Sequence, residues 1–415
     1  MKPTWRRAAP PAPTPLTAPT LLTAPTSPAA LTFPTARAAG GAVVIAACVL
    51  AAACAGNPVR TPAATAVPAG PPPLATASTG AAGAGWAIVE MGGSAAQEDN
   101  FWELFVRPAG TLTWRLATPV GVADNGGLEA AGLGGSLVAG FRPSQDLTFS
   151  PLAATSDDGA TWSAAGPVTP GLADAPDALA SGSGGQLIAL TSGGTAELGT
   201  NTGQTWTRLA SVRAITATPA GHTCGLTGLT AATFVRSGIP WLAGSCSRPG
   251  TAGIFADRGG SWQAAGPAVP RSLAGEDISV LRLTATGGGV VALLQAGSGA
   301  SASLIVAWPD AGGWALSAPL RIGASGLRST SSGPGQAVAV LLAGGQGETL
   351  SGPGSSWRAL PRLPASATAL ALGLGGRVDA LTANAGTFAD WRLGTGASWR
   401  LTQTIHVTIP YGSSS

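Results

Sequence analysis

Charge is scarce in this chain, and lysine is almost absent. Only 10% of its 415 residues are Asp, Glu, Lys or Arg, and every basic residue except Lys2 is an arginine. Four of the 22 basic residues (Lys2, Arg6, Arg7 and Arg37) precede residue 55 and none of the 19 acids does, so beyond it 18 basic face 19 acidic residues, a net charge of −1. A near-neutral domain without basic runs lacks the electrostatic footprint of a nucleic-acid binder. Histidine is limited to His222 and His406, which argues against a metal centre or a histidine-based triad. Tyrosine occurs once, as Tyr411. No Walker-type loop is present, and neither a cofactor nor a metal is expected.

Small residues are plentiful instead. The chain has 61 glycines and 34 prolines with 45% hydrophobic residues. That composition favours many turns and few long helices, with enough apolar material for one large all-β domain.

The N-terminal part reads as a membrane address. Residues 38–56 (AAGGAVVIAACVLAAACAG) carry no charge and follow Arg37. This matches a positive region, an apolar core and a small-residue processing site. The run ends in Leu50-Ala51-Ala52-Ala53-Cys54, which resembles a bacterial lipobox and implies lipidation at Cys54. An uncleaved anchor is the competing reading, although the stretch barely reaches the roughly 20 residues a spanning helix needs. Either way the basic residues keep the N-terminus cytoplasmic and place the main domain outside. Residues 1–54 are therefore expected to be the leader. Residues 55–84, rich in Pro, Ala and Thr, are expected to be an extended tether at about 3.1 Å per residue. Residues 85–411 are expected to form the folded domain.

That domain repeats. Tryptophans 114, 162, 206, 262, 314, 357 and 399 end seven related segments spaced 42 to 56 residues apart. A period near 45 residues signals a solenoid or a propeller. The sharpest copy is Thr155-Ser156-Asp157-Asp158-Gly159-Ala160-Thr161-Trp162, and a second is Asp257-Arg258-Gly259-Gly260-Ser261-Trp262. Between markers lie short apolar runs and glycine pairs. In the last repeat the spacing predicts strands at 367–374, 377–382 and 386–392 and a fourth opening at Trp399. Four strands per repeat, seven times, describes a seven-bladed all-β propeller. The first repeat shows three strands, so the C-terminal segment Thr404–Pro410 is expected to pair beside Trp86–Met91 and close the ring, removing exposed edges.

The motif resembles the Asp box, or BNR repeat, of sialidases and their propeller relatives. The resemblance covers residues 85–411 and implies a box on the turn between third and fourth strands. There Thr155, Asp157, Gly159, Thr161 and Trp162, with Asp257, Gly259, Ser261 and Trp262, act as a structural staple. Asp157 can accept backbone N–H groups within its turn, and Gly159 allows a positive φ.

The resemblance does not extend to catalysis. Sialidases use three arginines, a Tyr–Glu pair and an Asp. Here Tyr411 lies four residues from the end, and Phe141-Arg142-Pro143 is a partial match in the wrong repeat. Carboxylates such as Glu98, Asp99, Glu276, Asp277 and Asp310 are scattered rather than paired. No catalytic residue is assigned. Cys224 and Cys246 are expected to bridge in an oxidising compartment, on the first and second strands of the fourth blade. Their 21-residue loop would contribute roughly 3 kcal/mol. Trp86, Trp102, Trp241, Trp308 and Trp391 are expected to fill space between blades.

The expected function is a membrane-tethered, extracytoplasmic propeller that binds a protein partner without transforming it. A cell-envelope glycan-binding module and a diverged glycosidase are the alternatives.

Overall fold

The computed structural model describes residues 75–79, 83–91, 102–119, 128–133, 136–141, 152–164, 176–191, 193–200, 203, 205–235, 238–287, 289–324, 326–384 and 386–407. The leader, Cys54, Glu98, Asp99, Arg142 and Tyr411 lie outside the described residues. No described helix is long and apolar enough to cross a membrane.

Among the described residues the strands fall into successive four-strand antiparallel units. The first is β1 (Ala75–Thr79), β2 (Gly85–Glu90), β3 (Trp102–Arg107) and β4 (Arg115–Leu116). The second is β5 (Leu128–Leu133), β6 (Ser136–Phe141), β7 (Leu152–Thr155) and β8 (Ser163–Ala164). The third is β9 (Pro176–Ser181), β10 (Leu187–Thr191), β11 (Thr195–Thr200) and β12 (Thr205–Ser211). The fourth is β13 (Leu226–Phe234), β14 (Pro240–Cys246), β15 (Gly253–Asp257) and β16 (Trp262–Ala264). The fifth is β17 (Ile278–Thr286), β18 (Gly289–Ala296), β19 (Ser303–Asp310) and β20 (Gly313–Leu316), with short β21 (Leu320–Arg321) added beside β19. The sixth is β22 (Leu327–Ser332), β23 (Val338–Leu342), β24 (Gly347–Leu350) and β25 (Arg358–Ala359). The seventh is β26 (Ala367–Leu372), β27 (Val378–Asn384), β28 (Thr387–Leu393) and β29 (Trp399–His406). Radial repetition of such units is the architecture of a β-propeller.

Alternation along each middle strand explains the packing. Successive side chains point to opposite faces. In β10, Leu187 and Ala189 pack with Val138 and Leu152 of the second unit. Ile188 and Leu190 pack with Leu229 and Leu242 of the fourth. Near-continuous apolar runs are thus buried on both sides. The same logic joins fourth to fifth through Ile254 and Val280, and fifth to sixth through Trp308 and Val340. It joins sixth to seventh through Leu341 and Leu370. The first unit packs against both the second, through Ile88 and Leu137, and the seventh, through Phe105 and Phe388. Those two rings stack with centroids 3.9 Å apart.

Two expectations need correction. The strand completing the first unit comes from its own N-terminal side. Ala75–Thr79, expected to belong to the tether, pairs antiparallel with β2, placing Thr76 opposite Ile88. Thr404–His406 instead extends β29 and pairs with Thr387–Ala389; residues 408–410 lie outside the described residues. The physical reason is that β1 is hydrogen-bonded on both edges. Besides β2 it pairs in parallel with β22, Ala77 beside Ser331 and Ser78 beside Ser332, which joins the first and sixth units into one eight-stranded sheet. ATAST looks like linker because it carries so little apolar surface.

The second correction concerns Cys224. It closes a short helix, α2 (Pro219–Cys224), which follows α1 (Val212–Thr216). Thr218 caps α2 by accepting from the Gly221 N–H, Pro219 starts it, and Gly225 ends it at φ 63°; these are the standard start and stop residues. This insertion accounts for the longest tryptophan spacing, 206 to 262. Cys224 and Cys246 do form the expected disulfide, with Cα atoms 5.0 Å apart.

Candidate functional site

The sharpest repeat motif makes a closed hydrogen-bonded turn between β7 and β8. Thr155 Oγ1 donates to Asp157 Oδ1 at 2.7 Å and accepts from the Gly159 N–H at 2.9 Å. Asp157 accepts from the Thr161 N–H at 2.9 Å and from Thr161 Oγ1 at 2.7 Å. These donors hold the Asp157 carboxyl far below its usual range, the Thr161 N–H most strongly. Gly159 sits at φ 84°. Arg115 of the first unit donates to the carbonyls of Asp157 and Asp158, both at 2.6 Å. The second copy keeps less: Asp257 Oδ1 accepts from the Gly260 N–H at 2.8 Å, and Trp262 is buried. Three other marker tryptophans reach back to the preceding unit. The indole N–H groups of Trp314, Trp357 and Trp399 donate to the carbonyls of Ala265, Ala318 and Pro361. The side chains of Thr155, Asp157 and Thr161 are spent on the fold.

The other sequence candidates stay apart. His222 and His406 are exposed, on α2 and β29. Asp277 and Asp310 are exposed and Glu276 half-buried, on the fifth unit. No cluster of three metal-ligating side chains occurs among the described residues. Trp308 is fully buried; Trp86, Trp102, Trp241 and Trp391 are half-buried.

A charged network that sequence reasoning missed lies between the first and seventh units. Asp379 is fully buried and meets three guanidinium groups. Arg107 Nη1 lies 2.8 Å away, Arg392 Nε 3.1 Å and Arg377 Nε 3.2 Å. Arg107 is itself fully buried, donates to Thr79 Oγ1 at 3.2 Å, and stacks 4.6 Å above the Trp114 ring. Asp390, also buried, accepts from Thr402 Oγ1 at 2.7 Å. Burial first, and the Asp379 charge second, push its carboxyl up to about 6. The family resemblance implied three arginines on a substrate carboxylate. The three converging here are occupied by the chain's own Asp379. One signal was present in the sequence: Asp379 is the one charged residue of the strand Val378–Asn384.

A cavity of about 720 Å³ opens where innermost strands end. It lies among the ends of β1, β9, β13, β17 and β22. Ser78, Thr79, Ser181, Ser183, Thr284, Thr286 and Ser332 supply hydroxyls, Gln336 an amide, and Phe234 and Val235 apolar surface. Among the described residues, no acidic or basic side chain lines it. The volume falls within the roughly 300–1,000 Å³ of ligand pockets. β26 is absent from the wall because the β1–β22 pairing stands in front of it, and all six of its residues are buried. Hydroxyls and an amide can donate and accept hydrogen bonds, and among the described lining residues no carboxylate or imidazole stands beside them.

No protein-family model matches the chain, and no curated protein matches its sequence. Solved structures do. A Lactobacillus plantarum protein aligns at 13% identity and a TM-score of 0.48, covering 78% of this chain and 96% of its own. YCF48 from Cyanidioschyzon merolae aligns at 13% identity and 0.45, covering 79% and 94%. Virginiamycin B lyase from Staphylococcus aureus aligns at 13% identity and 0.42, covering 68% and 85%. These likenesses assign no activity to the chain.

Proposed function

We propose that this chain is a membrane-tethered, extracytoplasmic seven-bladed propeller that holds a protein partner without transforming it. Lipidation at Cys54 supplies the tether, and the first unit seated between the second and seventh closes the ring. The observation that carries the binding reading is the uncharged cavity at the ends of the innermost strands. Its wall offers hydrogen bonds without catalytic pairs. The turns leaving the innermost strands also present apolar side chains at this end. Leu374, in the turn after β26, is 51% exposed, and Ile239, in the turn after β13, is 37% exposed. Apolar anchors beside a polar pocket suit a protein surface. A glycan site would call for exposed aromatic platforms, whereas the five described tryptophans off the repeat are buried or half-buried.

The test is in-cell crosslinking of the full-length, C-terminally tagged protein, followed by mass spectrometry. One dominant membrane or exported protein is expected, and it should be lost from a Leu374→Ser, Ile239→Ser double variant. No reproducible protein partner would overturn the reading. Cys54→Ala should release the protein from the membrane fraction.

A further inference from the structure

Three turns that follow innermost strands share one backbone path. They are Ser183-Gly184-Gly185, Pro334-Gly335-Gln336 and Leu374-Gly375-Gly376. The second and third residues of each adopt left-handed φ. The values are 69° and 75° in the first, 71° and 70° in the second, and 69° and 76° in the third. Glycine takes this conformation without penalty, whereas a side chain there is strained. Two of the turns use glycine at the last position. The third uses Gln336, and that turn lines the cavity.

The fold does not need this side chain. The tertiary contact at this position is made by backbone: the Trp308 indole N–H donates to the Gln336 carbonyl at 3.0 Å. Glycine would keep that bond. The Gln336 amide makes one contact, Nε2 to Thr286 Oγ1 at 3.5 Å, which is the outer limit of a hydrogen bond. Its Oε1 has no partner among the described residues. The side chain is half-buried at the cavity wall, between the ends of β17 and β22.

We infer that Gln336 is a ligand-contacting residue, and that the cavity takes an uncharged, extended peptide segment. This inference rests on the reading of the chain as a protein-binding module. A glutamine amide carries a donor and an acceptor in one plane, as a peptide group does. It can therefore pair with both halves of a backbone amide. The hydroxyls of Ser183, Thr284 and Ser332 can take the neighbouring N–H and C=O groups without selecting for charge. A charged segment would enter a wall that offers it no counter-charge, at a desolvation cost. Phe234 and Val235 suit small apolar side chains along such a segment.

The experiment pans a displayed library of random dodecapeptides on the purified full-length protein, then measures the enriched peptides against variants. Gln336→Gly removes strain and amide together; Gln336→Ala removes the amide and keeps the strained backbone. The enriched peptides should be uncharged, and both variants should bind them about tenfold or more weakly, the loss of a hydrogen bond to a desolvated partner. Gln336→Gly should meanwhile melt at a higher temperature than the natural protein. Equal binding by the variants would overturn the role of Gln336. Enrichment of acidic or basic peptides would overturn the ligand class. Absence of enrichment, or binding of chitohexaose in its place, would overturn both. A partner recovered by in-cell crosslinking would still stand in any of these cases, so the two failures are distinguishable.

Discussion

Thr155 and Asp157 show how little a turn needs in order to be rigid. One hydroxyl and one carboxylate organise three N–H groups and a second hydroxyl within eight residues. Gly159 is the residue on which this depends. Its φ of 84° disfavours a side chain, and a Cβ there would stand 2.6 Å from the Ala117 methyl. Gly159→Ala should cost about 2 kcal/mol by strain alone, measured by chemical denaturation, and an unchanged midpoint would refute this account of the turn. Asp390 offers a test of a different kind. Its folded pKa of about 6 lies above the ordinary 3.8. The folded state therefore binds this proton more tightly than the unfolded state. The stability it supplies is full below the ordinary value and is lost as pH rises through about 6. Glu103, also raised by burial, acts in the same direction. The difference in Tm between the natural protein and Asp390→Asn should therefore change between pH 4 and pH 7. The natural protein gains on its variant toward the acid side. A difference independent of pH would remove Asp390 from the balance.

At the scale of elements, the link between the first and last units is partly side chain. Gln403 on β29 reaches across to β4. Its Oε1 accepts from the Trp114 N–H at 2.7 Å and its Nε2 donates to the Trp114 carbonyl at 2.6 Å. An amide here replaces a strand pair that the outermost strands do not make. Gln403→Ala leaves both backbone groups without that partner and should cost about 1–3 kcal/mol, with faster amide exchange at Trp114 as the specific readout. The disulfide secures another element, tying α2 to the end of β14. Reduction or Cys224→Ser should cost roughly 3 kcal/mol in the loop-entropy view, read as a lower Tm with reductant. Much of this element map is legible from sequence. Strands predicted at 377–382 and 386–392 appear at Val378–Asn384 and Thr387–Leu393, because apolar alternation and glycine turns are local signals. β1 is not legible, because a strand of Ala, Ser and Thr is defined by its parallel partner 254 residues away and not by its own pattern. The cavity escapes for a related reason: its wall is assembled from the ends of five separate strands, each contributing only a few residues.

For the molecule as a whole, the proposed ring makes a claim about cooperativity. Each unit buries both faces against neighbours, and the first and seventh share the Phe105–Phe388 stack and the Arg107–Asp379 pair. In an open repeat array, damage at one end stays local, since stability is a sum of units and nearest interfaces. In a ring the same damage removes one of two supports from each of two units, and every other unit loses the constraint that closure imposes. Arg107→Met is the sharpest probe, since it keeps bulk and removes charge at a fully buried site. Breaking a buried pair by removing one partner costs about 3–5 kcal/mol, and the lower end is expected here because Arg377 and Arg392 still neutralise Asp379. Denaturant unfolding followed by tryptophan fluorescence should show one transition, shifted as a whole, because markers in every part of the chain lose their packing together. Amide exchange should quicken at Ala87 and Val89 and also at Ala189 and Val340, far from the altered residue. If exchange instead quickens only beside Arg107 and the transition splits in two, the units stand as an open array and the closed ring is wrong.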